Sequence, residues 1–214
     1  MSFDDWLAPG ALLEHGARHH WPNSPTSTLD VVEVCALDLA TGQVVVVDPA
    51  YSHSFDETGP VLAQVPAGRY PLLLSVVVWP ETDRPGARRR VVTAATLKVS
   101  NNPVVGWSWV GEMPDGTVAG VGVDAGTICL FDAAELERLA PLSADEDRVD
   151  TLLHAALEAG FAPITDDAGR TVAVFVSCGM GDGFYPVRIG RDASGAIAMI
   201  MVDLELLNHS TGCE

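Results

Sequence analysis

Apolar, β-branched runs recur along the whole chain, each closed by a short group of glycine, proline or aspartate residues. That rhythm constrains the fold more than any other feature, because a chain turning so often is read as strands. Val31–Leu39 and Gln43–Val47 flank Ala40-Thr41-Gly42 and read as a hairpin. Arg69–Trp79 is framed by Pro66-Ala67-Gly68 and Pro80, and Arg90–Val99 follows after Pro85-Gly86. Prolines at these points are expected to keep strands there at an edge or in a loop. Further strands are expected at Val104–Val110, Thr117–Val123, Thr127–Phe131, Thr171–Val176, Phe184–Ile189 and Ala196–Leu204.

Between residues 132 and 160 the pattern changes. Asp132 with Glu135, and Ser143 with Glu146, have capping-box spacing ahead of two helices. The second helix carries Val149, Leu152, Leu153, Ala156 and Leu157 on one face and stops at Gly160. About ten strands with two inserted helices imply an α+β fold built mainly on antiparallel sheet. The 214 residues suffice for one large core or two small ones, and a single domain is expected over 1–214, with 1–29 as an N-terminal extension.

Charge decides which partners are plausible. The chain has 29 acidic and 12 basic residues, a formal charge of −17, yet 48% of it is hydrophobic. That balance excludes a disordered polyelectrolyte and argues against nucleic acid or an anionic membrane surface as partner. The acid is uneven: residues 101–214 hold 18 acidic residues against 5 arginines. An acidic face toward a basic protein partner is one reading, and solubility alone is the other. Lys98 is the only lysine, which points to a GC-rich bacterial source. Four widely spaced cysteines and an acidic N-terminus fit a cytoplasmic protein. The oligomeric state is not legible.

Candidate chemistry lies at the turns. Asp48, Asp124 and Asp182 each end or follow a strand and would serve as metal ligands or bases if they converged. A divalent cation is then the expected ion; no metal set and no cofactor is legible otherwise. Thr127, Tyr185, Trp107 and Trp109 are candidate ligand contacts, the aromatics lining the mouth of a barrel-like pocket. Gly179-Met180-Gly181-Asp182-Gly183 is followed by strand-like Phe184-Tyr185-Pro186-Val187, so it is read as a hairpin turn through Asp182-Gly183 rather than a phosphate loop. His15 and His19 have helix-face metal spacing without a further ligand. Cys178 sits among apolar and acidic neighbours, which suits a buried thiol better than a nucleophile. Arg88-Arg89-Arg90 reads as a guarded strand edge.

Several of these pieces resemble the bacterial family named domain of unknown function 4241. They are Gly42…Asp48-Pro49, Pro66-Ala67-Gly68-Arg69-Tyr70-Pro71, Val121–Thr127 with Cys129 and Asp132, Gly181–Val187, Asp192…Gly195 and Val202-Asp203. The likeness covers about residues 30–205 and implies one domain. It departs at Ile128, where glycine is expected, and at Cys178, where serine is usual. The resemblance brings no activity with it. Three functions are therefore carried forward: a non-catalytic acidic interaction module of immunity or regulatory type, a hydrolase or metal-dependent phosphoesterase, and a small-ligand binder.

Overall fold

The computed structural model describes residues 7–22, 24–50, 61–80, 88–111, 118–210 and 212–213. Its strands are β1 (Arg18–Trp21), β2 (Ser24–Leu39), β3 (Gln43–Val47), β4 (Ala63–Gln64), β5 (Gly68–Pro80), β6 (Arg88–Lys98), β7 (Gly106–Trp109), β8 (Gly120–Val123) and β9 (Thr127–Asp132). Two helices follow, the one-turn α1 (Leu136–Leu139) and α2 (Glu146–Ala159), and then β10 (Phe161–Thr165), β11 (Thr171–Ser177), β12 (Gly183–Arg191), β13 (Ile197–Asp203) and β14 (Gly212–Cys213). Ten strands form one path in the order β4-β3-β9-β11-β2-β5-β6-β13-β12-β7. The described pairs are antiparallel except β2 with β11, which run parallel through a Leu37–Thr171 bridge. The sheet is therefore mixed.

The largest core shows that the sheet is curled. It unites Val44 and Val46 of β3, near one end of the path, with Tyr185, Val187 and Ile189 of β12 near the other. The interior of the curl is this apolar cluster. Strands β9 and β11 are buried on both faces: Ile128, Leu130, Val174 and Val176 point into the curl, whereas Cys129, Phe131, Ala173 and Phe175 point outward under α2. Burial on both faces explains why these strands read as unbroken apolar runs rather than alternating ones. A third cluster joins Leu12, Ala17 and Trp21 to Met201, Leu206 and Leu207, so that the two ends of the chain pack together.

Four local expectations change. The Val31–Leu39 and Gln43–Val47 segments do form strands but not a hairpin, since β2 pairs with β5 while β3 pairs with β4 and β9. The Gly179–Gly183 turn likewise joins strands that are not paired: β11 lies beside β9 and β10, and β12 beside β13, β7 and β8. Its left-handed residue is Gly181, at φ +86°, and not Gly183. The second helix is capped by Asp145, which accepts from the Arg148 amide, because the 3₁₀ turn Ala140–Ala144 with Pro141 delays its start beyond Ser143. Its end at Gly160, φ +91°, stands as expected.

The prolines also act differently. Pro80 closes β5, but β5 and β6 lie centrally, between β2 and β13. Arg88, Arg89 and Arg90 are exposed at the start of central strand β6, opposite Pro80, Trp79 and Val78, and so do not mark a sheet edge. The Pro85-Gly86 turn lies outside the described residues. Among the described residues, no helix is long and apolar enough to cross a membrane.

Candidate functional site

Strands β3, β9 and β11 finish side by side, and beyond Val47, Thr127 and Ser177 three loops meet. At their centre is Asp48, only 3% exposed. One of its carboxylate oxygens accepts from the amides of Asp124 (2.6 Å) and Ala125 (3.1 Å), and the other from the amide of Ala50 (2.8 Å). Gly126, at φ +61°, gives the tight turn that returns the chain into β9. Its carbonyl accepts from the Cys178 amide at 2.8 Å, and a Cβ on Gly126 would stand 3.5 Å from the Gly181 Cα. The Tyr185 hydroxyl donates to the Gly181 carbonyl at 2.6 Å, which holds the second loop against the sheet.

This geometry assigns different work to the three acids. The Asp48 carboxylate is the strut between two loops, while Asp124 and Asp182 carry exposed side chains. Asp124 meets Asp48 through its backbone amide. Among the described residues, no three His, Cys, Asp or Glu side chains are grouped to hold a metal ion. The Cys178 thiol is 4% exposed, and burial followed by the negative charge of Asp48 pushes its pKa upward, with Asp182 adding to the effect. That is the reverse of what nucleophilic activation needs. Burial likewise raises the Tyr185 phenol, with Cys178, Glu205 and Asp182 adding to it.

The ligand-contact candidates are not brought together. Thr127 is fully buried opposite Ser177. Tyr185 is 1% exposed inside the curl. Trp107 and Trp109 share a face as expected, but they pair with Gly190 and Arg188, which alternation places on the opposite side of β12 from Tyr185. Trp109 instead covers the Arg188 guanidinium, 4.1 Å from its ring centre. His15 and His19 are also separated: His15 sits exposed in a turn, and His19 is buried in β1.

The opposite end of the same strands holds a second polar assembly, of which only one part was legible as a cap. Asp132 does cap the turn before α1, accepting from the Ala134 amide, but it also accepts from the amides of Thr41 (2.9 Å) and Gly42 (2.8 Å) and from the Thr41 hydroxyl (2.6 Å). Gly42 has φ +77°, and a Cβ there would lie 1.9 Å from the Val65 carbonyl oxygen. The Gln64 side chain ties the Thr41 carbonyl to that of Val65. Next to this weld, Asp38, Arg69, Glu135 and Arg170 line a pocket of ≈ 390 Å³. The signal for it in the sequence was Pro66-Ala67-Gly68-Arg69-Tyr70-Pro71, a turn motif that also presents an arginine.

Comparison with curated proteins and with solved structures gives no match. A family model does match, over residues 37–202, and this span includes both loop assemblies. The chain therefore belongs to the family described as Protein of unknown function (DUF4241).

Proposed function

We propose that the protein is a non-catalytic interaction module that presents the acidic outer face of α2 to a basic protein partner, in an immunity-type or regulatory role in the bacterial cytoplasm. The observation that carries this reading is the exposure of Asp145, Glu146, Asp147, Asp150 and Glu158 along α2 and its cap, with Arg148 as the only opposing charge on that helix. The apolar side of α2 is committed to β10 and β11 through Val149, Leu152, Leu153 and Ala156, so the acids face outward by default. A predominantly negative patch of this kind raises encounter rates with an oppositely charged partner and makes binding salt-dependent. The hydrolase alternative is less well supported, because the most buried of its three carboxylates is occupied by backbone amides.

The test is affinity capture from the native host with wild type and with the variant Asp145→Asn/Glu146→Gln/Asp147→Asn/Asp150→Asn. A basic protein recovered at low salt should be lost from the variant and at about 0.5 M salt, where screening acts within a few ångströms. Recovery of no partner, or binding indifferent to both salt and the four substitutions, would overturn the reading.

A further inference from the structure

Strand β2 is paired along one edge with β5 from Leu29 to Leu39, but its other edge is covered only toward the ends. There β1 pairs with it as far as Thr28, and β11 meets it at the single Leu37–Thr171 bridge. Among the described residues no strand pairs with that edge between Val31 and Ala36, a stretch about 20 Å long. The direction of its backbone groups follows from Leu29, whose carbonyl accepts from the Gly16 amide and whose amide donates to Ala17, both on that edge. Alternation points the amides and carbonyls of Val31 and Glu33 the same way. The Val31 amide donates to His15 Nδ1 at 3.2 Å, whereas no described strand takes up the Glu33 pair.

Beside this open edge lies a cleft of ≈ 350 Å³ lined by Val32, Val34, Leu74, Val76 and Phe161. Val32 stands opposite Leu74 in the ladder, shares its face, and is 36% exposed. Glu33 is exposed as well, with its side chain on the opposite face. An open apolar edge is a template for further pairing, and a charge on it selects what can pair. A second copy of the chain would bring a further formal charge of −17 and, in a register centred here, Glu33 against Glu33. A strand with a basic residue at that position turns the repulsion into a cross-strand attraction. Arg90 also lines the cleft, but through Val78 and Val76 it shares the face of Val32 and does not meet that residue.

We propose that β2 accepts a short extended segment of a basic protein, added antiparallel to its open edge between Val31 and Ala36. Apolar side chains of the segment enter the cleft beside Val32, and a lysine or arginine between them pairs with Glu33. Main-chain hydrogen bonds to Glu33 hold the segment, and its alternating side chains give the selectivity. The bulge at Val34 keeps the regular ladder short, which suits a transient contact. This edge belongs to other elements than the acidic face of α2, and the proposal stands whether or not that face binds a partner.

The probe is the end-blocked peptide Ser-Thr-Val-Lys-Val-Thr-Ser, titrated into the full ¹⁵N-labelled chain. It should bind with a Kd of about 1 mM or tighter, shift the amide signals of Val32 to Ala36, and slow hydrogen exchange at the Glu33 amide. Methylating the lysine amide nitrogen removes the donor to the Glu33 carbonyl and should weaken binding at least about threefold. Glutamate in place of the lysine should also weaken it about threefold or more, and Glu33→Lys should reverse that preference. Glu33 is exposed, and a reversed preference is a readout that loss of structure would not produce. The α2 variant Asp145→Asn/Glu146→Gln/Asp147→Asn/Asp150→Asn should bind the peptide within about twofold of wild type at physiological salt. No binding, signal shifts confined to other strands, indifference to methylation, an unaltered preference in Glu33→Lys, or lost binding in the α2 variant would each overturn the proposal.

Discussion

Arg188 and Asp203 form an ion pair sealed inside the protein, with Nη2 donating to Oδ2 at 2.8 Å and side chains 6% and 0% exposed. The same guanidinium donates to the Leu7 carbonyl at 3.0 Å, while the Leu7 amide donates to Asn208 Oδ1 at 2.9 Å. One buried pair therefore ties β12 and β13 to both ends of the chain. Burial lowers the arginine pKa and raises that of the aspartate, each opposed by attraction to the other. Removing one partner leaves a charge stranded in the core, which costs about 3–5 kcal/mol. We expect Arg188→Met and Asp203→Asn each to lose that much in urea unfolding. The double variant Arg188→Met/Asp203→Leu should recover most of it, and single losses below about 1 kcal/mol would contradict the assignment.

Asp48 is expected to act on stability before any chemistry. It accepts from three backbone amides that have no other acceptor described. Hydrogen bonds to a charged acceptor contribute about 1.5–3 kcal/mol each, so Asp48→Ala should lose at least about 2 kcal/mol. Asp48→Asn, which keeps one acceptor oxygen, should lose less. Chemical denaturation ranks the three proteins, and an alanine variant as stable as the wild type would remove the strut from the description.

Asp192 makes part of the acid stability of the fold predictable. Its carboxyl is held down to about 2, first by the Ser194 hydroxyl and then by the Asn102 amide, with the Ser194 and Ala196 backbone amides adding to this. The folded pKa lies below the unfolded one, so the contribution is complete above the ordinary carboxylate value near ~4 and vanishes as pH falls to about 2. Thermal unfolding of Asp192→Asn should therefore show a flatter decline than wild type across that window. Superimposable acid limbs would assign the decline to other groups.

The strands were legible because β-branched runs and turn residues are local signals. Asp145 and Gly160 show how far that reach extends: the glycine stop was readable, but the cap moved because Pro141 sustained a 3₁₀ turn up to Ala144. Strand partners were not legible. The ladder between β3 and β9 is made of backbone groups that every residue carries, so Val45 opposite Phe131 leaves no mark in either segment. The same limit explains the aromatic candidates. Period two correctly put Trp107 and Trp109 on one face, but only the pairing of β7 with β12 reveals that Tyr185 is on the other.

By itself the sequence determined a β-rich chain with two helices between residues 132 and 160, a family resemblance, and an acidic excess concentrated after residue 100. The strands, the helices and the charge follow from spacing within one segment or from composition, and the resemblance from motifs spread along residues 30–205. Only the tertiary structure decided what the polar residues do. Asp48 reaches amides 76 and 77 positions further along the chain, and Asp132 reaches amides 91 and 90 positions earlier. Such bonds depend on which loops the curled sheet brings to each end of β9, and a carboxylate in a turn looks the same in sequence whether it faces solvent, a ligand or another loop.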